Sequence, residues 1–380
     1  MSPRTRVVRR ASCVPSEAHC RSRLLGAVIL AALGGCGLSA TSLTEHRKTG
    51  LLLAPVAGLD LFVPVPDENP LTREGVALGE RLFFDPLLSA DGIIRCASCH
   101  RPEHAFSDTA RISLGVYGRR GERNAPALIN RAYGRAFFWD GRTATLEAQV
   151  LHPIRDSVEL GQPIPTLIQR LRADRSYRSA FARSFGTVRI DSQAVARALA
   201  SFVRTLRSGN APVDRWRNGD SAALSSSARR GLALFTGRAG CISCHIGPNF
   251  TDEDFHNTGV AARTARYASR EDIGRARVTG RAKDVGAFKT PTLRDVARSA
   301  PYMHDGSLAT LEDVVAFYDS GGVANPQLGA EIKPLALTGE QRRDLVAFLF
   351  ALTGTNSGPT GTARGVTRAV PLQFHLKPRS

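Results

Sequence analysis

The sequence is poor in cysteine beyond its first 36 residues. Of seven cysteines, Cys13, Cys20 and Cys36 lie in that stretch; the others, Cys96, Cys99, Cys241 and Cys244, form two C-x-x-C pairs. None is left for a structural disulfide in the mature body. The period-two alternation of β-strands is nearly absent, so the fold class is mainly α. Beyond the N-terminus no run is apolar enough to span a bilayer. Aromatic residues make up only 7%. The formal net charge is +17, mostly from arginine. No basic cluster or aromatic platform accompanies it, which argues against nucleic acid as a partner. The charge fits either a solvated surface or attraction to an acidic partner protein.

What the chain does hold is Cys96-Ala97-Ser98-Cys99-His100, and again Cys241-Ile242-Ser243-Cys244-His245. Both read C-x-x-C-H. Two thiols so spaced sit on one face of a helical turn, where they can form thioethers to the two vinyl groups of one porphyrin. The following histidine then points back at the iron as its proximal ligand. Four cysteines around one zinc is a poorer reading, because a histidine follows each pair and the pairs lie far apart; redox dithiols fare no better. Two covalent haem c groups are expected, on Cys96, Cys99 and His100 and on Cys241, Cys244 and His245. Such cofactors also fill core volume that the few aromatics do not.

The N-terminus has the pattern of an export signal: Arg21 and Arg23 precede the apolar run Leu24 to Leu33. Leu33-Gly34-Gly35-Cys36 reads either as a plain cleavage site or as a lipoprotein site with Cys36 lipidated. The segment before Leu24 is long for a signal, as it would be if the true start lay downstream of Met1. Haem c is attached outside the cytoplasm, so a periplasmic location is expected, with a lipid at Cys36 as membrane tether under the second reading.

Asn69-Pro70-Leu71-Thr72 reads as a helix start with Thr72 as cap, and Val76, Leu78, Leu82 and Phe83 make one helical face. Helical patterns follow at Thr143–Leu151, Thr166–Leu171, Ser176–Phe185, Ser192–Leu206, Ser225–Phe235, Leu311–Tyr318 and Gly339–Leu352, the last capped by Thr338. Ser208-Gly209-Asn210-Ala211-Pro212 marks a boundary. An internal repeat overlays these elements. Ala125-Pro126-Ala127-Leu128 matches Thr290-Pro291-Thr292-Leu293. Trp139-Asp140-Gly141-Arg142 matches His304-Asp305-Gly306-Ser307, and Ala144-Thr145-Leu146-Glu147 matches Ala309-Thr310-Leu311-Glu312, in one register. The expected organisation is a signal over 1–36, a linker over 37–65, cytochrome c-like domains over 66–207 and 208–353, and a loose tail over 354–380.

The copies differ where function is expected. Tyr318 stands as far after His304 as Pro153 stands after Trp139. If that position faces the distal side of the haem, the second iron gains a phenolate and the first, opposite a proline, stays open. Tyr318 also reads as an ordinary core aromatic beside Phe317. Near Pro153 lie Gln149 and Glu159; a carboxylate over an open haem can move the proton that peroxide cleavage requires, although surface glutamates are commoner. Trp139, one of two tryptophans, reads as an electron relay or as a buried anchor.

The chain resembles the bacterial di-haem cytochrome c peroxidase family over roughly residues 68–353. The likeness is carried by Leu82-Phe83-Phe84-Asp85, both haem motifs, Arg123-Asn124-Ala125-Pro126, Phe138-Trp139-Asp140-Gly141-Arg142 and Leu146-Glu147-Ala148-Gln149. Phe288-Lys289-Thr290-Pro291-Thr292-Leu293-Arg294 and Pro301-Tyr302-Met303-His304-Asp305-Gly306 extend it. The resemblance implies His100 and His245 as proximal ligands, Trp139 between the haems, and Gln149 and Glu159 lining the peroxide pocket of the first. It also implies a calcium ion held by Asn124 and the backbone carbonyls of Ser299 and Pro301. Typical members put a methionine on the second haem, where this chain has Tyr318, and a haem-capping histidine in the loop Leu114-Gly115-Val116-Tyr117-Gly118, where it has Val116. Both departures resemble the MauG branch, whose members bind the second haem by His and Tyr, leave the first open, and oxidise residues of a partner protein. Phe62-Val63-Pro64, Asn69-Pro70-Leu71-Thr72 and Asn130-Arg131-Ala132-Tyr133-Gly134 are most similar to its MbnH subgroup, which acts on a companion protein's tryptophan. His104 reads as a surface or loop residue.

Three functions follow in order. The first is a peroxide-driven oxidase of a partner's aromatic residue. The second is a peroxidase that removes hydrogen peroxide with electrons from a small cytochrome or cupredoxin. The third is a non-enzymatic di-haem carrier, which needs a distal ligand on the first haem that the sequence does not offer.

Overall fold

The computed structural model describes residues 53–355 apart from 188, 265, 267, 268 and 270. The signal segment with Cys36, the start of the 37–65 linker and nearly all of the tail lie outside the described residues. Within them the fold is mainly helical. The one ladder of strands among the described residues pairs Phe255–His256 antiparallel with Phe288–Lys289.

Helix α1 (Arg73–Phe84) starts where Thr72 Oγ1 accepts the Gly75 N–H at 3.0 Å, with Glu74 in the first turn against the helix dipole. Its Val76, Leu78, Leu82 and Phe83 are buried. They pack with α7 (Ser192–Thr205), which is capped by Asp191. The two helices touch at Gly79, where a Cβ would sit 1.9 Å from the Ala198 carbonyl oxygen. A matching pair occurs further on. Helix α9 (Ser226–Thr236), capped by Ser225, crosses α12 (Gly339–Phe350), capped by Thr338; a Cβ on Gly231 would sit 1.9 Å from the Asp344 carbonyl oxygen. Each junction is filled by three phenylalanines. Phe83, Phe106 and Phe202 have ring centroids 5.1 to 6.4 Å apart. For Phe235, Phe250 and Phe348 the range is 5.0 to 6.3 Å.

Shorter elements complete the path: α2 (Cys96–Cys99), α5 (Ile164–Ala173), α6 (Arg175–Phe185), α10 (Ala276–Thr279) and α11 (Leu311–Asp319). The stretch expected as one helix over Thr143–Leu151 is two, α3 (Leu146–Gln149) and α4 (Leu151–Arg155), meeting at Val150. Pro153 explains the break, since it has no N–H to return to the Gln149 carbonyl. The boundary segment runs into an unforeseen helix, α8 (Pro212–Arg217), with Pro212 in the first turn where its missing N–H costs nothing.

Residues 54–60, expected as linker, are held against the body. Ala54 O accepts from Arg207 at 2.9 Å, Ala57 O accepts the Asn210 N–H at 2.7 Å, and Gly58 O accepts from Arg294. The start of the expected tail is tied as well: the Gly354 N–H donates to Asp295 Oδ1 at 2.6 Å. Arg123 ties distant segments together by pairing with Asp140 at 2.7 Å and Asp272 at 2.6 Å, and Arg131 pairs with Glu253 at 2.7 Å. Among the described residues no helix is long and apolar enough to cross a membrane.

Candidate active site

The first C-x-x-C-H motif forms α2, so Cys96 and Cys99 share one turn and the His100 N–H closes it on Cys96 O at 2.9 Å. His100 Nδ1 lies 2.9 Å from the Phe106 carbonyl. A carbonyl only accepts, so Nδ1 carries the proton and Nε2 keeps its lone pair. The second motif repeats the geometry. The His245 N–H returns to Cys241 O at 3.0 Å and Nδ1 lies 3.0 Å from the Phe250 carbonyl. Phe106 and Phe250 both take positive φ, 56° and 50°, which turns these carbonyls toward the imidazoles. Burial lowers the pKa of both histidines, so both stay neutral as a metal ligand must. Burial also pushes the Cys96 thiol up to about 12 and the Cys99 and Cys241 thiols up to about 11. These are sheltered thiols beside neutral, oriented imidazoles, a donor set that fits covalent haem at each motif.

Around the second motif the chain leaves a large apolar cavity lined by Cys241, Cys244, His245 and Tyr318, and by Trp139 from far earlier in the chain. Tyr318 is on α11. Its phenol is held far above its usual range, first by burial and then by Cys241 and Cys244, which line the same cavity. Trp139 is fixed at both ends: its indole N–H donates to Asn124 O at 2.9 Å, and its own carbonyl accepts the Lys289 N–H at 2.8 Å. Asn124, Ser299 and Pro301 line this same cavity. The Asn124 side-chain nitrogen donates to Ala110 O and Arg111 O, both at 3.2 Å, which leaves its oxygen as the acceptor.

At the first motif the prominent group is Glu159, on the turn after α4. Burial, then the nearby Asp156 carboxylate, pushes its carboxyl up to about 7, with Arg142 opposing. Glu159 in turn raises both Cys96 and Cys99, which sets it beside the first haem motif. Gln149 is half-buried at the end of α3. Val116 is fully buried, and its N–H donates to Glu159 O at 2.8 Å. His104 ends a short turn, Pro102–His104, in the loop after the motif.

Sequence reasoning passed over the charges around the second cavity. His256 lies between Asp252, at 2.8 Å, and Glu331, at 2.7 Å. Hydrogen bonding with Cys244, then with these carboxylates, pushes it up to about 10. Cys244, His256 and Glu331 are close enough to hold a metal ion, but Cys244 belongs to the second haem motif. Lys289 is buried with Arg131 and Glu253, and burial lowers it to about 7. His304 stacks on Phe288 at 3.6 Å and burial lowers it to about 4. Apart from Asp252, which stands four residues before His256, the partners come from distant segments, so these groups carry little local sequence signal.

Residues 73–222 match the family model described as di-haem cytochrome c peroxidase. The chain is 44% identical over 293 residues to the methylamine utilization protein MauG of Methylorubrum extorquens, covering 76% of this chain and 81% of that one. It is 40% identical over 320 residues to the cytochrome-c peroxidase IdrP1 of Denitromonas iodatirespirans, covering 77% and 85%. Among solved structures, a MauG-like protein associated with microbial copper homeostasis superposes with a TM-score of 0.71 at 33% identity, over 78% of this chain and 95% of that one.

Proposed function

The chain belongs to the di-haem cytochrome c peroxidase family, peroxidase oxidoreductases with two haem c groups, and from that membership we propose that it uses hydrogen peroxide at an open first haem to oxidise, by long-range electron transfer, an aromatic residue of a docked partner protein. The observation that carries this reading is the asymmetry of the halves. Tyr318 lines the cavity of the second motif together with Cys241 and Cys244. In the first half the equivalent position is Pro153, and the loop residue Val116 is buried against the Glu159 turn. The similarity to MauG proteins and to a MauG-like structure supports the same branch. We read the two halves, 66–207 and 208–353, as copies of one cytochrome c-like domain; their matched helix pairs and histidine–carbonyl bonds support that.

Bound haem supplies the redox-active iron at each site. Glu159, ionised, takes a proton from peroxide and returns it to the departing oxygen. Gln149 orients the peroxide, and Trp139 carries electrons between the two halves. Trp139 suits that task because both its ends are hydrogen-bonded to main chain, so the ring is held without a titratable group on its N–H. The overall basic charge favours an acidic partner. Export to the periplasm, with a lipid at Cys36 as tether, belongs to the same proposal.

Low-temperature EPR of the ferric protein tests the asymmetry. One high-spin and one low-spin haem are expected, and Tyr318→Met should alter the low-spin signal alone. Two low-spin signals would move the reading to a peroxidase capped at rest, which draws electrons from a small cytochrome or cupredoxin. The names of the IdrP1 and cytochrome c551 peroxidase relatives favour that second reading.

We also propose calcium at the Asn124 side-chain oxygen and the Ser299 and Pro301 carbonyls. The donors are all oxygen, as calcium requires, and waters would complete the shell. Chelation with EGTA should lower Tm by roughly 5 °C, restored by calcium and not by magnesium. An unchanged melting curve would remove calcium from the proposal.

A further inference from the structure

We infer that the loop Leu114–Arg120 is a positioning element for Glu159: it grips the turn Asp156–Gly161 and fixes that turn to the segment leading into the first haem motif. The inference rests on the reading of Glu159 as the peroxide base. The loop is closed on itself by the Leu114–Arg120 bridge and by the Gly115 N–H on Arg119 O at 2.8 Å. Two bonds cross from it to the turn. The Val116 N–H donates to Glu159 O at 2.8 Å, and Arg119 Nη1 donates to Ser157 O at 3.0 Å.

Gly115 reports how close the approach is. Its φ of −100° is one that any residue can adopt, so glycine is not there for backbone freedom. It is there for space. A Cβ would lie 2.1 Å from Val158 O, 2.5 Å from Glu159 O and 2.8 Å from Glu159 Cα. All three are main-chain atoms, which cannot swing away. On its far side the same loop is registered to the segment that leads into the first motif. Asp91 accepts the Tyr117 N–H at 3.4 Å on one carboxylate oxygen and the Ile93 N–H at 2.9 Å on the other. The Ala90 N–H donates to Leu160 O at 2.8 Å. Loop, turn and the segment from Ala90 to Ile93 therefore form one hydrogen-bonded frame, and the place of Glu159 relative to the first motif depends on that frame. The charged or titratable groups facing that carboxyl are Asp156 on its own turn, Arg142 ahead of α3, and Cys96 and Cys99 on α2.

The test follows the ionisation of Glu159 in the ferric holoprotein by infrared difference spectroscopy against pH. The band is assigned by its loss in Glu159→Gln. In the wild type the midpoint is expected at about 7. Gly115→Ala drives the turn away and lets water reach the carboxyl, so the midpoint falls by about one unit or more, while both ferric haem signals persist. Should Gly115→Ala fail to fold, Val116→Pro decides. It deletes the one N–H that holds Glu159 O, at the first residue of a short turn where proline is accepted, and the same fall is expected. Midpoints equal to the wild type in the folded variants would overturn the positioning role. Retention of peroxide turnover by Glu159→Gln would overturn the base reading instead, whatever the loop variants do.

Discussion

Glu159→Gln lowers kcat/KM for peroxide by about 10²–10⁴-fold, the range expected when a positioned general base is lost. Glutamine keeps the size and hydrogen-bonding reach of the side chain and removes only its capacity to take a proton. The pH profile sharpens the expectation. Burial and the Asp156 carboxylate hold the Glu159 carboxyl at about 7, against the pull of Arg142. The base works ionised. Below the midpoint the ionised fraction falls tenfold per unit, and kcat/KM falls with it; above the midpoint the rate levels off. The variant should be slow at every pH and lack this rise. Stopped-flow measurement of peroxide consumption between pH 5 and 9 decides the matter. A variant with wild-type rate and the wild-type rise would remove Glu159 from the mechanism.

Arg294→Ala costs about 3–5 kcal/mol of stability, the penalty for orphaning a buried charge. Both partners are shut off from water: the Arg294 side chain is 0% exposed and the Asp214 side chain 1%. The guanidinium engages both carboxylate oxygens of Asp214, the Pro248 carbonyl from Nε at 2.9 Å, and the Gly58 carbonyl. It lies over the Phe250 ring, 5.0 Å from its centroid. One side chain thus joins the segment before α1, helix α8 and the turn that presents the Phe250 carbonyl to His245. Alanine removes every guanidinium donor and leaves the buried Asp214 side chain with one hydrogen bond, from the Ala211 N–H at 2.8 Å. Adding Asp214→Asn should return part of the loss, because the orphaned charge is gone. Urea unfolding of the holoproteins measures both steps. A loss below about 1 kcal/mol for Arg294→Ala would mean that water reaches the pair, contrary to its burial.

Why some features could be read early and others not is visible in these residues. The spacing of Cys96, Cys99 and His100 is a local property; one turn of chain places all three, and no distant segment is needed. Helix α1 is similar, since Thr72 supplies the cap and the apolar period supplies the buried face. Arg294 is the opposite case. In sequence it is one arginine among many in a basic chain. Its weight comes from Asp214, Pro248 and Gly58, which reach it from three separate segments. Residues 54–60 looked like linker for the same reason: proline and small residues carry no periodicity, and the groups that hold them, Arg207, Asn210 and Arg294, lie far along the chain.

The sequence by itself determined the two C-x-x-C-H turns, the mainly helical class and the positions of the principal helices, because each rests on residue spacing, capping or a local period. It also placed Tyr318 and Glu159 among the candidates, but with an ordinary alternative beside each. Tertiary structure decided which surroundings they meet. Tyr318 shares a cavity with Cys241 and Cys244. Glu159 is half-buried near Cys96 and Cys99, on a turn held by a loop more than a helix away. A side chain's burial and the charges around it depend on which distant segments fold against it, and a single chain's pattern carries no record of that meeting.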